Sequence, residues 1–270
     1  MKIHRSLLII FSIVLCGFFE NVSAQEICAS DEYDVYLLIG QSNMAGRGYM
    51  TEKDMRQFDK NVFILNEDGA LVPATNPLNQ YSSIRKGMSI QRIGPGYGFS
   101  KTISKKTKRK ILLVVNARGG TTLAQWSKGE DGSGYYEEAV RRTKQAMKYG
   151  SLKAIIWHQG CGDSRNTDTY LERLSLFVEN LRADLGVDVP FIAGELGPWR
   201  PNVAEFNEMI HSISEYIPQS DWISADGTMP IATPDPKGKP NLKDPHFDRK
   251  SQLLIGKRYA EKVLKMCYGF

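Results

Sequence analysis

An apolar run meets a polar turn in the stretch Tyr36–Met44, YLLIGQSNM. The run Tyr36–Ile39 predicts a strand that is buried on both faces and ends at Gly40. Ser42 follows on a tight, glycine-flanked turn, where a serine is exposed and can act as a nucleophile. A serine that merely caps a helix has the same local sequence. The stretch by itself therefore leaves two interpretations of Ser42 open.

The same alternation of apolar runs and amphipathic segments continues along the chain. Further strands are predicted at 62–65, 111–115, 154–157, 190–193 and 222–223. Helices are predicted at 97–107, 137–149, 169–185, 203–216 and 251–266. Strands that alternate with helices predict an α/β fold, with a parallel sheet covered on both faces. The segment 51–89 has few long periodic stretches and is interpreted as loops around a site.

Composition agrees with a globular chain of 270 residues, 41% hydrophobic and 24% charged. Its 35 Lys and Arg residues against 30 Asp and Glu give a net charge of +5. These charges are scattered, whereas a nucleic-acid partner requires a clustered basic stripe. We therefore expect no nucleic-acid partner.

The first 24 residues have the three zones of a secretory signal peptide. Lys2 and Arg5 precede the apolar run Leu7–Phe19, and Val22–Ala24 supplies small residues for cleavage. The run is shorter than the roughly 20 residues of a membrane span. We expect a secreted or periplasmic protein without a stable membrane anchor, whose residues 25–270 form one domain.

Export also permits disulfides, and domain termini often lie close together. A disulfide between Cys28 and Cys267 is therefore plausible, and it would leave Cys161 unpaired.

Two other predicted strands also end in polar, glycine-containing turns. Gly119 and Gly120 allow a backbone N–H to approach and stabilise an oxyanion, although a plain loop or an anion-binding nest fits equally. After the strand 154–157, Gln159 offers a side-chain N–H to the same oxyanion. His158 beside it is interpreted as structural. Cys161 is a weaker candidate nucleophile than Ser42, because Ser42 has the better-formed turn.

His246 lies between two acids in the segment 241–248, just before the last predicted helix. A histidine with a neighbouring carboxylate can act as a general base with its orienting acid. The alternative is that Asp248 caps the helix and that His246 is an incidental loop residue.

Taken in order, these segments resemble a known family. The motifs are 40–44 (GQSNM), 119–121 (GGT), 157–160 (WHQG) and 246–247 (HF). They resemble the SGNH-type hydrolases, and most closely their sialate O-acetylesterase-like branch, carbohydrate esterase family six. The resemblance implies a three-layer, flavodoxin-like fold with a five-stranded parallel sheet. It also implies O-deacetylation of carbohydrates without a metal or cofactor.

Residue by residue, the resemblance implies that Ser42 is the nucleophile and His246 the base. The backbone N–H groups of Ser42 and Gly120, with the Gln159 side chain, would form the oxyanion hole, and Gly119 is the alternative donor.

The chain differs from the branch at two positions where the branch has an acid. The identity of the acid that would orient His246 is therefore open. Cys161 stands where the branch has an acid after the glycine of the third motif, and Lys243 stands three residues before His246, where another acid is frequent. Asp244, two residues before His246, is our first choice for the acid. Asp163, Glu195 or a Ser–His dyad remain as alternatives.

We predict a carbohydrate O-acetylesterase, with a non-catalytic carbohydrate-binding protein of the same fold as the alternative. A lipase is disfavoured because the sequence offers no long apolar lid. Trp126, Trp199 and Tyr97 suit either a sugar-binding face or the core. The acetylated sugar and the oligomeric state stay open.

Overall fold

The computed structural model describes residues 32–129, 133–232 and 238–270. The predicted signal peptide and Cys28 lie outside these residues, so the cleavage site and the Cys28–Cys267 pairing remain predictions. Among the described helices, none combines the length and the apolar character that crossing a bilayer requires.

The sheet has seven strands in the described part of the chain, in the order β3-β2-β4-β1-β5-β6-β7. The strands are β1 Tyr33–Gly40, β2 Val62–Leu65, β3 Leu71–Pro73, β4 Lys110–Ala117, β5 Gly150–His158, β6 Phe191–Gly194 and β7 Ser220–Ile223. All neighbouring pairs are parallel except β2 and β3. The sheet is therefore mixed.

The expected five-stranded parallel sheet is wrong in both strand number and strand direction. β3 has only three residues, two of them half-buried and one exposed, and an apolar stretch this short that ends in a proline does not reveal a strand. It forms because Asn66 closes a turn after β2: the Asn66 side-chain oxygen accepts hydrogen bonds from the backbone N–H groups of Asp68 and Ala70. A hairpin partner of this kind depends on turn chemistry rather than on burial.

Helices cover both faces of the sheet, which confirms the three-layer α/β architecture. They are α1 Ser42–Ala45, α2 Pro95–Thr107, α3 Tyr135–Ala146, α4 Tyr170–Leu185, α5 Ala204–His211, α6 Ile213–Tyr216 and α7 Arg249–Tyr268. α2 and α7 pack on one face, where Phe99 packs edge-on against Tyr36 and Tyr259 belongs to the same core. α3, α4 and α5 pack on the other face, where Phe177 and Phe206 belong to the core around Trp157.

The pairing of the three central strands places the polar turns together. Gly40, the last residue of β1, pairs with Ala117 of β4 and with His158 of β5. Since these strands are parallel, the turns that follow them emerge side by side at one edge of the sheet. The segment before α7 reaches the same edge, and a candidate site is assembled there.

Candidate active site

The turn that carries Ser42 requires glycine at position 40. Gly40 has φ +131°, and a Cβ there would stand 2.3 Å from the carbonyl oxygen of His158. The same carbonyl accepts a 2.8 Å hydrogen bond from the Gln41 N–H, which fixes the turn to the end of β5. Ser42 then begins α1 and keeps 7% of its surface exposed. The turn therefore presents a hydroxyl at the edge of the sheet.

A histidine and a carboxylate complete a hydrogen-bonded chain from this hydroxyl. The Nε2 atom of His246 lies 2.9 Å from the Ser42 Oγ. The Nδ1 atom of His246 lies 2.6 Å from the Asp244 Oδ1. Because the carboxylate accepts from Nδ1–H, Nε2 carries the lone pair that can accept the serine proton. This is the arrangement of a nucleophile, a general base and an orienting acid.

Asn43 holds the two parts of this chain together, a role that the sequence analysis missed. Its side-chain amide donates to the carbonyl oxygen of Pro245 at 3.0 Å. Its side-chain oxygen accepts from the N–H of Phe247 at 3.1 Å. Asn43 thus binds the backbone on both sides of His246. The signal available in the sequence was an asparagine directly after Ser42, and the structure shows that it is fully buried and therefore needs hydrogen-bond partners.

The alternative acids are engaged elsewhere. Asp163 accepts hydrogen bonds from the N–H of Leu123 and the amide of Gln159. Glu195 lies 2.6 Å from the Nε2 atom of His211, which stacks on a tryptophan outside the cavity. Asp248 caps α7 through the Ser251 N–H. Among these acids, Asp244 alone contacts His246.

Cys161 does not replace the serine. Its Sγ atom accepts a 2.9 Å hydrogen bond from the Gln41 amide. Burial raises the pKa of the Cys161 thiol, so the reactive thiolate is disfavoured.

Three backbone N–H groups at the cavity are candidates for the expected oxyanion hole. Within the described residues, the backbone N–H groups of Ser42, Gly119 and Gly120 donate to no protein acceptor. Gly120 has φ +77°, a left-handed conformation that favours glycine.

The Gln159 side-chain amide, expected as the third donor, makes its hydrogen bonds elsewhere in this structure. Its side-chain amide donates to the Thr121 carbonyl oxygen at 3.0 Å and to the Asp163 Oδ2 at 2.6 Å. Both amide hydrogens are therefore used, and Gln159 is 1% exposed. The physical reason is the acid four residues later in the same turn, which provides a stronger acceptor than a neutral group would.

The surroundings of His246 keep its imidazole neutral. Burial lowers the pKa of His246, and the nearby guanidinium groups of Arg47 and Arg200 lower it further. Asp244 opposes this shift by its charge and its hydrogen bond. A neutral imidazole at pH 7 is the form that accepts a proton.

His158 is structural, as expected from the sequence. It is fully buried, and its Nδ1 atom lies 2.9 Å from the hydroxyl of Tyr259. Burial lowers the pKa of His158 to about 4.

The three aromatic residues that suited either a sugar-binding face or the core contribute to the packing of the protein. Trp126 is fully buried, and Tyr97 is nearly so. Trp199 donates to the Asp244 carbonyl oxygen and packs edge-on against Phe247. Trp199 therefore supports the loop of the candidate acid rather than a sugar ring.

A cavity of about 660 Å³ opens above Ser42 and His246. Its wall includes Arg47, Tyr49, Lys86, Ile90, Arg92 and Ile231. This volume falls within the range of small-molecule sites, roughly 300–1,000 Å³. The cavity can therefore hold a sugar next to the serine hydroxyl.

The chain is similar to proteins of a known family. Residues 32–265 match the family model described as carbohydrate esterase, sialic acid-specific acetylesterase. A probable carbohydrate esterase of Arabidopsis thaliana is 30% identical over 173 residues. That alignment covers 57% of this chain and 64% of the plant protein, which is less than two thirds of its length.

Two solved structures share the fold. The crystal structure of the same Arabidopsis thaliana protein superposes with a TM-score of 0.73 and 22% identity, and the match covers 87% of this chain and 98% of that one. A carbohydrate acetylesterase from Xanthomonas citri gives a TM-score of 0.62 and 16% identity, with 88% of this chain and 57% of that one covered. Because the family model spans nearly all of the described residues, the chain belongs to the carbohydrate esterase family of sialic acid-specific acetylesterases.

Proposed function

We propose that this protein is a serine esterase that removes O-acetyl groups from carbohydrates. The observation that carries the proposal is the hydrogen-bonded chain from Ser42 through His246 to Asp244, at the floor of a sugar-sized cavity. Membership of a carbohydrate esterase family supplies the substrate class. The non-catalytic alternative is disfavoured, because pure binding does not require this alignment of three groups.

The geometry supports a two-step mechanism. His246 Nε2 takes the proton of Ser42 while Oγ attacks the acetyl carbonyl carbon. The negative charge that develops on the carbonyl oxygen is stabilised by the N–H groups of Ser42 and Gly120, with Gly119 as the alternative to Gly120. The bond between the carbonyl carbon and the sugar oxygen then breaks as His246 protonates that oxygen, so the sugar leaves with a free hydroxyl and the acetyl group stays on Ser42. Water, activated by His246, hydrolyses this acetyl-enzyme.

Export remains part of the proposal. The three-zone sequence of residues 1–24 supports a secreted or periplasmic enzyme. Acetylated polysaccharides outside the cell would then be its substrates.

Replacement of the nucleophile tests the proposal. Ser42→Ala should reduce the hydrolysis of 4-nitrophenyl acetate and the release of acetate from acetylated glycans by several orders of magnitude, up to about 10⁶-fold. Thermal unfolding should stay near that of the wild type, since Ser42 lies on a turn at the cavity.

Ser100→Ala is the matched control, because the Ser100 hydroxyl bonds only to carbonyls of its own helix, α2. This variant should keep wild-type turnover. An active Ser42→Ala variant would show that another group is the nucleophile, and Cys161 would be tested next. A wild-type protein that binds acetylated sugars without hydrolysing them would instead establish the non-catalytic alternative.

A further inference from the structure

The side chain expected to complete the oxyanion hole is committed to other partners. The Tyr170 hydroxyl donates to the Gln159 Oε1 at 2.8 Å, and this bond sets the direction of the Gln159 amide. The amide hydrogens then face the Thr121 carbonyl oxygen and the Asp163 carboxylate. Gln159 and Tyr170 are each 1% exposed, so this arrangement lies inside the protein. A third donor to the oxyanion would therefore come from another group at the cavity.

Arg47, which follows α1, is a buried cation in the cavity wall. It is 9% exposed, and its Nη1 atom donates to the Gly46 carbonyl oxygen at 2.7 Å. Within the described part of the chain, its Nε and Nη2 atoms donate to no protein acceptor, and no carboxylate forms an ion pair with it. The guanidinium thus has free donors at the cavity.

The free side of the Arg47 guanidinium lies near Ser42. A Cβ on Gly119 would lie 2.9 Å from the Arg47 Nη2 and 3.1 Å from the Ser42 Cβ. Nη2 and the serine therefore border the same small space, beside the Gly119 N–H that is itself a candidate oxyanion donor. A carbonyl group attacked by Ser42 would enter this space, within reach of Nη2.

Arg47 is charged, and water screens its charge poorly. Burial and the charge of Arg92 lower the pKa of Arg47 to about 10, while the charge of Asp244 opposes this shift, so the group stays charged at pH 7. A buried charge without a partner is strongly unfavourable unless a ligand completes it. The other two cations of the cavity wall, Lys86 and Arg92, are more exposed and better screened. Arg47 is therefore the cavity cation that interacts most strongly with an anion formed beside Ser42.

We propose that Arg47 is a catalytic residue, whose guanidinium stabilises the oxyanion formed at Ser42. This inference rests on the proposed function. When the Ser42 Oγ bonds to the acetyl carbonyl carbon, the serine proton passes to His246 and one electron pair of the C=O bond moves to the oxygen. The oxygen becomes fully negative only then, so Arg47 stabilises the transition state more than the bound ester. A charged donor is also stronger than the neutral amide of Gln159 would be.

Substitution of Arg47 tests the proposal through kcat and KM on 4-nitrophenyl acetate. Arg47→Gln should lower kcat by about 10²- to 10³-fold, the effect of removing one oxyanion donor, with little change in KM. Arg47→Lys keeps the charge but not the fork of donors, so it should lose less. The rates are measured near pH 8.5, about two units above the ordinary histidine pKa, so that His246 is neutral in every variant. Thermal unfolding of each variant shows whether the fold is kept.

Chemical rescue separates the charge from the shape of the missing group. In Arg47→Ala, guanidinium chloride at non-denaturing concentration should raise kcat at least tenfold by binding where the side chain was. Urea has nearly the same planar shape without the charge and should rescue little, and sodium chloride at equal ionic strength controls for salt.

Arg182→Gln is the matched control variant. The Arg182 guanidinium is also largely buried and donates to the Val189 carbonyl oxygen, but it lies on α4, outside the cavity. This variant should keep the wild-type kcat, and guanidinium should not accelerate it.

Failure of this role and failure of the esterase proposal give different results. Wild-type kcat in folded Arg47→Gln and Arg47→Lys, or a loss confined to KM, would overturn the role of Arg47 and leave the esterase. Equal rescue by urea and guanidinium would overturn it as well. If the wild type hydrolyses no ester, the rate at which diethyl 4-nitrophenyl phosphate phosphorylates Ser42 decides, because its phosphoryl oxygen takes the place of the oxyanion. Slower phosphorylation in Arg47→Lys supports the role of Arg47 alone, and equal rates or no reaction overturn both.

Discussion

Asp244 reaches His246 across a single proline. Pro245 fixes its own φ and favours an extended conformation at Asp244, so that residues two apart point the same way. We expect Asp244→Asn to keep the fold and to lower kcat by up to about 10⁴-fold, because the asparagine no longer holds the correct imidazole tautomer. Steady-state kinetics on 4-nitrophenyl acetate measures the loss.

Glu195→Gln is the control for this prediction, since Glu195 also pairs with a histidine but lies away from the cavity. It should retain nearly all of the wild-type kcat, and so should Asp163→Asn. Near-wild-type turnover in Asp244→Asn would assign the site to a Ser–His dyad.

The charges around His246 predict the pH dependence of the reaction. His246 must be neutral to accept the serine proton, so kcat/KM falls as the pH is lowered through the pKa of His246. Because burial, Arg47 and Arg200 lower this pKa, the midpoint should lie below the ordinary histidine value of about 6.5. In Arg47→Gln one of the lowering charges is removed, and the midpoint should move to higher pH. A pH profile of kcat/KM for both proteins checks this, and an unchanged midpoint would contradict it.

At the scale of elements, the site depends on how firmly α1 holds the segment before α7. Asn43 provides that connection through Pro245 and Phe247. We expect Asn43→Ala to lower kcat by about 10²-fold with little change in KM, because a small displacement of His246 misaligns proton transfer. Asn43→Asp should retain more activity, since the carboxylate still accepts from the Phe247 N–H.

Asn207→Ala provides the control, because Asn207 makes the same pair of bonds to the backbone of Leu196, away from the cavity. Equal kcat losses in Asn43→Ala and Asn207→Ala would mean a general structural effect rather than positioning of the base.

The strands that are buried on both faces were predicted correctly from the sequence, because burial gives them a continuous apolar run. β1 and β4 lie in the middle of the sheet, and their apolar runs mark them within a few residues of their observed ends. The predicted helix 203–216 is divided into α5 and α6 at Ser212. Both helices bury apolar residues at helical spacing, Phe206 and Ile210 in α5 and Ile213 in α6. Because the apolar periodicity continues across Ser212, it does not reveal the break between the two helices.

For the whole molecule, the proposed chemistry uses only groups of the chain itself. Proton transfer by His246 and charge stabilisation by backbone N–H groups require no metal ion. We expect kcat to be unchanged after dialysis against a chelator, measured on 4-nitrophenyl acetate and on an acetylated glycan. A loss of activity that added zinc restores would contradict the serine mechanism.

The sequence by itself indicated the α/β class and placed Ser42, Asp244 and His246 in polar turns, because apolar periodicity and turn chemistry depend on neighbours a few residues away. The roles proposed for these residues came from the resemblance of the motifs to a known family. The tertiary structure alone decided the hydrogen bonds that join Asn43 to the segment before α7 and the direction of the Gln159 amide. Gln159 turns toward Thr121, 38 positions away, and Asn43 bonds to Pro245, 202 positions away. Partners at such distances are set by the packing of the sheet and its layers, so no local pattern records them.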